Sequence, residues 1–235
     1  RHRALALVGR EGLQVLGEVS HRGQRFHQLP SGDQRRIRTR VIRAIILTEE
    51  SHPTMKFEVF ERLNAGSMAL NAQEIRNSTY QGPFMSRVRN EWVHNEHFRA
   101  AIGRKHPRGR MADEELIIRA LAMRERLESY RPPLPRFLNN FSKDMNLAGP
   151  KALDDLGAAF KRAARNVYEL YGPNSFRLTD ARGELIEKQI NRGLAEAQLV
   201  TLADADPEKV SARSDRLRAE FGALHVRPLF LDFIQ

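Results

Sequence analysis

The residues with chemistry to offer cluster between Lys56 and Phe84, in KFEVFERLNAGSMALNAQEIRNSTYQGPF. Arg62 and Asn64 lie close together, followed by Gly66 and then by Asn71, Gln73, Glu74, Arg76 and Asn77. A guanidinium can clasp phosphate oxygens through two parallel N–H bonds. An Asn amide donates and accepts at once, which suits a base edge, a ribose or a phosphate. A plain helical hairpin does not need so many amides at one junction. The competing reading is structural: Asn64 caps a helix C-terminus, and Arg62 pairs with Glu58 or Glu61 on the helix surface. Residue types alone favour that reading.

The elements that must position these groups follow from periodicity. Lys56 to Asn64 reads as a helix buried on most sides, with Met55, Val59 and Leu63 on one face and Phe57 and Phe60 on another. Gly66 suits a left-handed cap at its end. Asn71 with Glu74 three residues on predicts a capping box opening the next helix. Gln73 and Glu74 therefore read as capping-box and helix-surface residues. Ile75, Phe84, Val88 and Trp92 supply the apolar side, and Gly82-Pro83 must interrupt or kink the helix.

Upstream, Ser31 with Gln34 predicts another capped helix start, and Thr39 to Thr48 predicts a largely buried strand. After Gly103 only helices are expected. Leu116, Ala120, Met123 and Leu127 form one stripe. Leu153, Leu156, Phe160, Ala163 and Val167 form a second, and Ile186, Ile190, Leu194 and Ala197 a third. Breaks are expected at Arg131 to Pro135, at Gly149-Pro150 and at Gly172-Pro173. The basic run Arg104 to Arg110 is the expected domain boundary, dividing 1–103 from 104–235.

The 235 residues are 41% hydrophobic and 29% charged, which places the chain among globular proteins. No apolar run approaches the roughly 20 residues a membrane helix needs. There is no cysteine, so disulfides, thiolate metal sites and cysteine nucleophiles are excluded, and a cytoplasmic location fits. The net charge is +10, which favours polyanion partners, nucleic acid first; the equally weighted competing reading is a generally basic surface. Arg35, Arg36, Arg38, Arg40 and Arg43 form one candidate DNA-binding run, and Arg104, Lys105, Arg108 and Arg110 a second. The competing reading for both is solvated edge charge. The chain opens RHRALALVGREG and closes LFLDFIQ, so both ends are expected to fall inside structured elements.

The 56–84 segment resembles the second signature of the GmrSD-type restriction endonuclease N-terminal domain family, which is prokaryotic and has a ParB/sulfiredoxin-like fold. Phe57, Phe60, Arg62, Asn64, Gly66, Leu70, Gln73, Glu74, Ile75, Arg76, Asn77, Tyr80, Gly82 and Phe84 sit at the matching places. Phe26 to Leu47 is similar to the segment before that signature, and Arg110 to Arg119 to the start of a helical region in stand-alone members. The likeness weakens after about Tyr171.

The resemblance implies an α+β fold over 1–103, the latter part of a ParB-like domain, followed by an all-helical domain, mainly α in total. It implies that Arg62 and Asn64 face a nucleotide pocket with Gly66. The family's first signature, Asp-Gly-Gln-Gln-Arg, is associated with nucleotide hydrolysis or regulation and is lacking here. Arg1 is a candidate for its last residue, which would make the chain a fragment, inactive by itself. The cofactor so implied is a nucleoside triphosphate with a divalent metal in the whole protein.

Many relatives carry an HNH-like nuclease domain with a His-centred metal motif, and none is found among the scattered histidines. His94 and His97 beside Glu96 read as a solvated helix end. The expected function is DNA defence or restriction with NTP hydrolysis. The alternative is a non-enzymatic DNA-binding or regulatory module beside a partner nuclease, or a homo-oligomerising family member.

Overall fold

The computed structural model describes residues 25–41, 70–180, 182–225 and 227. The chain divides into two compact units, Arg1–Leu70 and Asn71–Gln235. The division falls at Leu70/Asn71 rather than in the basic run Arg104 to Arg110, which lies inside the second unit. The physical reason is a shared core. Phe98 and Ile102 before that run and Leu116 and Ile117 after it belong to one apolar cluster.

In the first unit, a short 3-10 turn at Phe26–Gln28 leads into α1, Ser31–Arg38. The expected Ser31 capping box is not formed. Ser31 is already helical, Pro30 stands at the N-cap, and the Gln34 amide instead donates to the Leu29 carbonyl at 2.8 Å. None of the α1 residues is buried. Thr39 closes α1, and Arg40 and Val41 are not in a strand. The strand expected up to Thr48 and the helix expected over Lys56 to Asn64 otherwise lie outside the described residues. Among the described residues the protein is mainly helical and has no strand, only an isolated bridge between Thr179 and Leu185. The α+β character expected of 1–103 is therefore absent from the described part.

The second unit comprises α2 (Ala72–Thr79), α3 (Pro83–Asn90), α4 (Glu96–Ile102), α5 (Ala112–Arg126), α6 (Leu134–Asn146), α7 (Pro150–Tyr171), α8 (Arg192–Leu202), α9 (Pro207–Ala212) and α10 (Ser214–His225). Gly82-Pro83 does interrupt the α2–α3 stretch, with Pro83 at the first turn of α3, where its missing N–H costs nothing. Gly149-Pro150 opens α7 and Gly172 closes it. The α7 stripe Leu153, Leu156, Phe160, Ala163 and Val167 is buried throughout. This helix packs against α4, α8 and α9, while α5 packs against α6 and α8.

The third expected stripe fails at its start. Helix α8 begins only at Arg192, where the Asn191 side chain accepts from the Leu194 N–H at 2.9 Å. Ile186 is exposed in a loop turned by Asp180, whose carboxylate accepts from the N–H groups of Arg182 and Glu184. Leu127, the last member of the first stripe, lies past the end of α5 and is also exposed. No helix among the described residues is long and apolar enough to cross a membrane.

Aromatic rings run through the core in a chain of contacts. Phe141 meets Phe84 at 5.6 Å, and Phe84 meets Trp92 at 5.8 Å. Trp92 meets Phe160 at 6.4 Å, Phe160 meets Phe98 at 5.3 Å, and Phe98 meets Phe176 at 6.2 Å. Most are edge-to-face, the arrangement ring quadrupoles prefer. Gly157 makes room for the indole, because a Cβ there would lie 2.9 Å from Trp92 Nε1. Gly157→Ala should therefore lower unfolding stability by about 1–3 kcal/mol from overpacking, less the roughly 1 kcal/mol that alanine gains in a helix. Urea midpoints measure this, and an unchanged or raised midpoint would show that the indole moves freely.

Candidate functional site

Arg1, Arg43, Arg62, Asn64 and Gly66 lie outside the described residues. The described half of the signature begins at Leu70 and ends at Phe84. The capping box at its start is formed. Asn71 Oδ1 accepts from the Glu74 N–H at 2.8 Å, and Glu74 Oε2 accepts from the Asn71 N–H at 2.8 Å. Glu74 also pairs with Arg110 at 3.0 Å, and the Asn71 amide donates to the Arg110 carbonyl at 2.8 Å. The Arg110 hydrogen bond, together with the Asn71 N–H, outweighs burial and holds the Glu74 carboxyl below its ordinary value.

Gln73 is not the surface residue expected of it. It is fully buried, and its Oε1 accepts from the guanidinium of Arg76. Arg76 is buried as well, and its Nε donates to Asn139 Oδ1 on α6 at 2.9 Å. Among the described residues no carboxylate forms an ion pair with Arg76. Burial, opposed by the nearby Glu115, pushes its guanidinium down to about 10. The Gln73 Nε2 is buried without a partner. Neutral amides thus carry a desolvated cation, an arrangement that costs stability unless every N–H is well placed.

The rest of the signature also serves packing. Asn77 accepts from Arg89 on α3. The Tyr80 carbonyl accepts from the Asn146 amide at 2.8 Å, while Asn146 Oδ1 accepts from the Met85 N–H at 3.2 Å. Asn146 thereby bridges the α2–α3 break. A Cβ on Gly82 would lie 2.5 Å from Asn146 Cγ, so only glycine leaves room for that bridge. Phe84 is buried in the core.

The second basic run, a candidate for DNA contact, is partly engaged by carboxylates of the protein itself. Asp113 is fully buried at the start of α5. It accepts from Arg99 Nη1 at 2.8 Å, from the Arg108 N–H at 2.9 Å and from the Arg108 guanidinium. Burial alone would raise its carboxyl, but the bonds from Arg108 and Arg99 hold it below the ordinary range. With Arg110 on Glu74, two members of the run have carboxylate partners, while Arg104 and Lys105 remain exposed. In the first run, Arg35, Arg36, Arg38 and Arg40 are all exposed, with Arg36 3.9 Å from Asp33.

Elsewhere, His97 lies 3.7 Å from Glu96 and edge-on to Tyr168. No group of three or more His, Cys, Asp or Glu side chains among the described residues is arranged to hold a metal ion. An open groove of about 1250 Å³ runs between α7 and α9, lined by Arg162, Arg165, Glu169, Asp204 and Glu208 among others. None of the residues picked from the sequence lines it. Several of its charges are paired locally, Arg165 with Glu169 at 2.6 Å and Asp204 with Arg124 at 2.6 Å.

Sequence reasoning missed Asn139, Asn146 and Asp113 as partners of the signature and of the basic run. Asn139 and Arg76 are 63 residues apart, and no local pattern links them. No protein-family model, curated protein or solved structure matches the chain.

The Asp113 centre has a pH signature. Its carboxyl is depressed in the folded state, so its stabilisation is present above the unfolded value of about 3.9 and is lost as pH falls through the folded value. Asp113→Asn should cost about 3–5 kcal/mol near neutrality, because it strands buried Arg99. That deficit should shrink in acid. Glu114 beside it has the opposite sign. Burial first, then Asp113, raises its carboxyl. Wild type should therefore lose stability as pH rises through that raised value, and Glu114→Gln should lack this loss. Urea midpoints across pH read both effects, and parallel curves for all three proteins would refute them.

Proposed function

We propose that this chain is part of a prokaryotic DNA-defence or restriction-related protein, and that Arg62 and Asn64 serve a ParB-like nucleotide-hydrolysing domain. The observation that carries this reading is the order of residues from Phe57 to Phe84. The division of labour within that order supports it. Gln73, Glu74, Arg76 and Asn77 are all engaged in holding α2. Arg62 and Asn64 are the members of the signature to which this reading gives the chemistry.

In this reading Arg62 clasps phosphate oxygens and Asn64 bonds a ribose, base edge or phosphate. A divalent metal would be held largely through the nucleotide's own phosphates. A partner nuclease would cut the DNA.

Nucleoside triphosphate hydrolysis by the intact protein tests this directly. Arg62→Ala and Asn64→Ala should each lower turnover by about 10²-fold, the usual loss when one positioned donor is removed. Wild-type turnover in both variants would end the reading. The second reading, a DNA-binding or regulatory module without hydrolysis, is favoured by the unburied arginines of α1. Duplex binding with no hydrolysis in wild type would select it.

A further inference from the structure

We infer that residues 25–41, centred on α1, form a phosphate-binding face for duplex DNA, and that Arg108 and Arg110 of the basic run 104–110 are not part of it. The inference rests on the nucleic-acid side of the reading above and does not depend on nucleotide hydrolysis.

Three observations separate the two runs. First, α1 has eight residues and buries none of them. Helices this short ordinarily hold their form by packing an apolar face. Here the exposed positions are occupied by Arg35, Arg36 and Arg38, with Arg40 just beyond and Arg25 just before. Second, little charge opposes them. Arg36 lies 3.9 Å from Asp33, and no ion pair joins Arg35, Arg38 or Arg40 to a carboxylate among the described residues. Third, the guanidinium of Arg38 lies over the Phe26 ring at 5.3 Å, which restricts its motion without neutralising it. In the other run, Arg108 is held by Asp113 and Arg110 by Glu74. Drawing those two to phosphate would strand the carboxylates they serve.

The chemistry of the face selects its partner. Single-strand binders stack bases on several open aromatic rings, whereas this segment has one Phe, exposed but with the Arg38 guanidinium already over its ring. A membrane-surface helix needs a broad apolar side, and α1 offers only Ile37. An arginine-rich face with neither feature fits regularly spaced phosphates. Binding should be independent of sequence, with log K falling by about 0.9 per phosphate contact for each unit of log salt.

The test is salt-dependent binding of the full chain to a random-sequence duplex. Combined Arg35→Ala, Arg36→Ala, Arg38→Ala and Arg40→Ala should weaken binding by about 10²-fold or more at low salt and flatten the salt slope. The same positions changed to Lys should keep most of the slope, with circular dichroism confirming the fold of both. Arg110→Ala, which removes an arginine held by Glu74, should change neither affinity nor slope. Wild-type binding by the fourfold alanine variant would overturn the inference. So would an equal loss in the Arg110 variant, or a preference for single strands or acidic vesicles over duplex. A wild type that hydrolyses nucleotide but binds no duplex sinks this inference and leaves the signature's role standing. Binding without hydrolysis does the reverse.

Discussion

The second unit depends on burying one indole. Trp92 is fully buried between Phe84 and Phe160, and its N–H has no partner. A lone buried donor costs about 1–3 kcal/mol, so the site persists only because the apolar contacts around it exceed that. The rings from Phe141 to Phe176 supply those contacts across α6, α3, α7 and α4. Each ring lies on a different stretch of chain from its neighbour. The helices therefore cannot slide past one another without breaking a ring contact. Gly157 fixes the depth to which the indole can enter. The polar devices of the unit are arranged around that constraint.

Two of these devices solve opposite electrostatic problems. At Asp113 a buried anion is surrounded by Arg99 and Arg108, and the attraction exceeds the desolvation cost enough to keep its carboxyl depressed. At Arg76 a buried cation is met by amide oxygens of Gln73 and Asn139, and burial prevails enough to lower its guanidinium. The first ties α4 to α5, and the second ties α2 to α6. The Asp113 pairing is already netted out in the charge of +10, but the buried Arg76 cation counts toward that charge without being available to a partner. Some of the arginines are structural. Arg177, for example, donates to the carbonyls of Ala101 and Ile102 at 3.1 and 3.0 Å and so closes the C-terminal end of α4.

What could be read from the sequence was local. The α7 stripe and its Gly-Pro borders are written in adjacent residues, and so are the Asn71–Glu74 capping box and the Gly82-Pro83 break. The failures came from two physical sources. Apolar period alone placed Ile186 in a helix, although the backbone there is turned by the Asp180 carboxylate and the real start is set by Asn191. Charge along the chain marked the run with Arg108 and Arg110 as a candidate DNA contact and an expected domain boundary, but it did not reveal their pairing with Asp113 and Glu74. Charge in sequence does not say which carboxylate folds back onto it. For the candidate site, Arg62 and Asn64 rest on sequence alone, and what the fold adds concerns their neighbours.

That addition changes how the signature should be understood. A run of conspicuous residues invites the view that each faces a ligand. Between Gln73 and Phe84 several of the polar groups, those of Glu74, Arg76 and Asn77 among them, instead bond protein partners, and Gly82 is small because Asn146 needs the space. Such residues are as restricted in type as binding residues, since a buried guanidinium or a glycine under an amide bridge tolerates little change. Restricted type therefore cannot by itself mark a binding group. The polar side chains of this segment are understood through their partners: Glu74, Arg76 and Asn77 hold the frame of α2, α3 and α6, so a reading of the signature as a site begins by setting them aside.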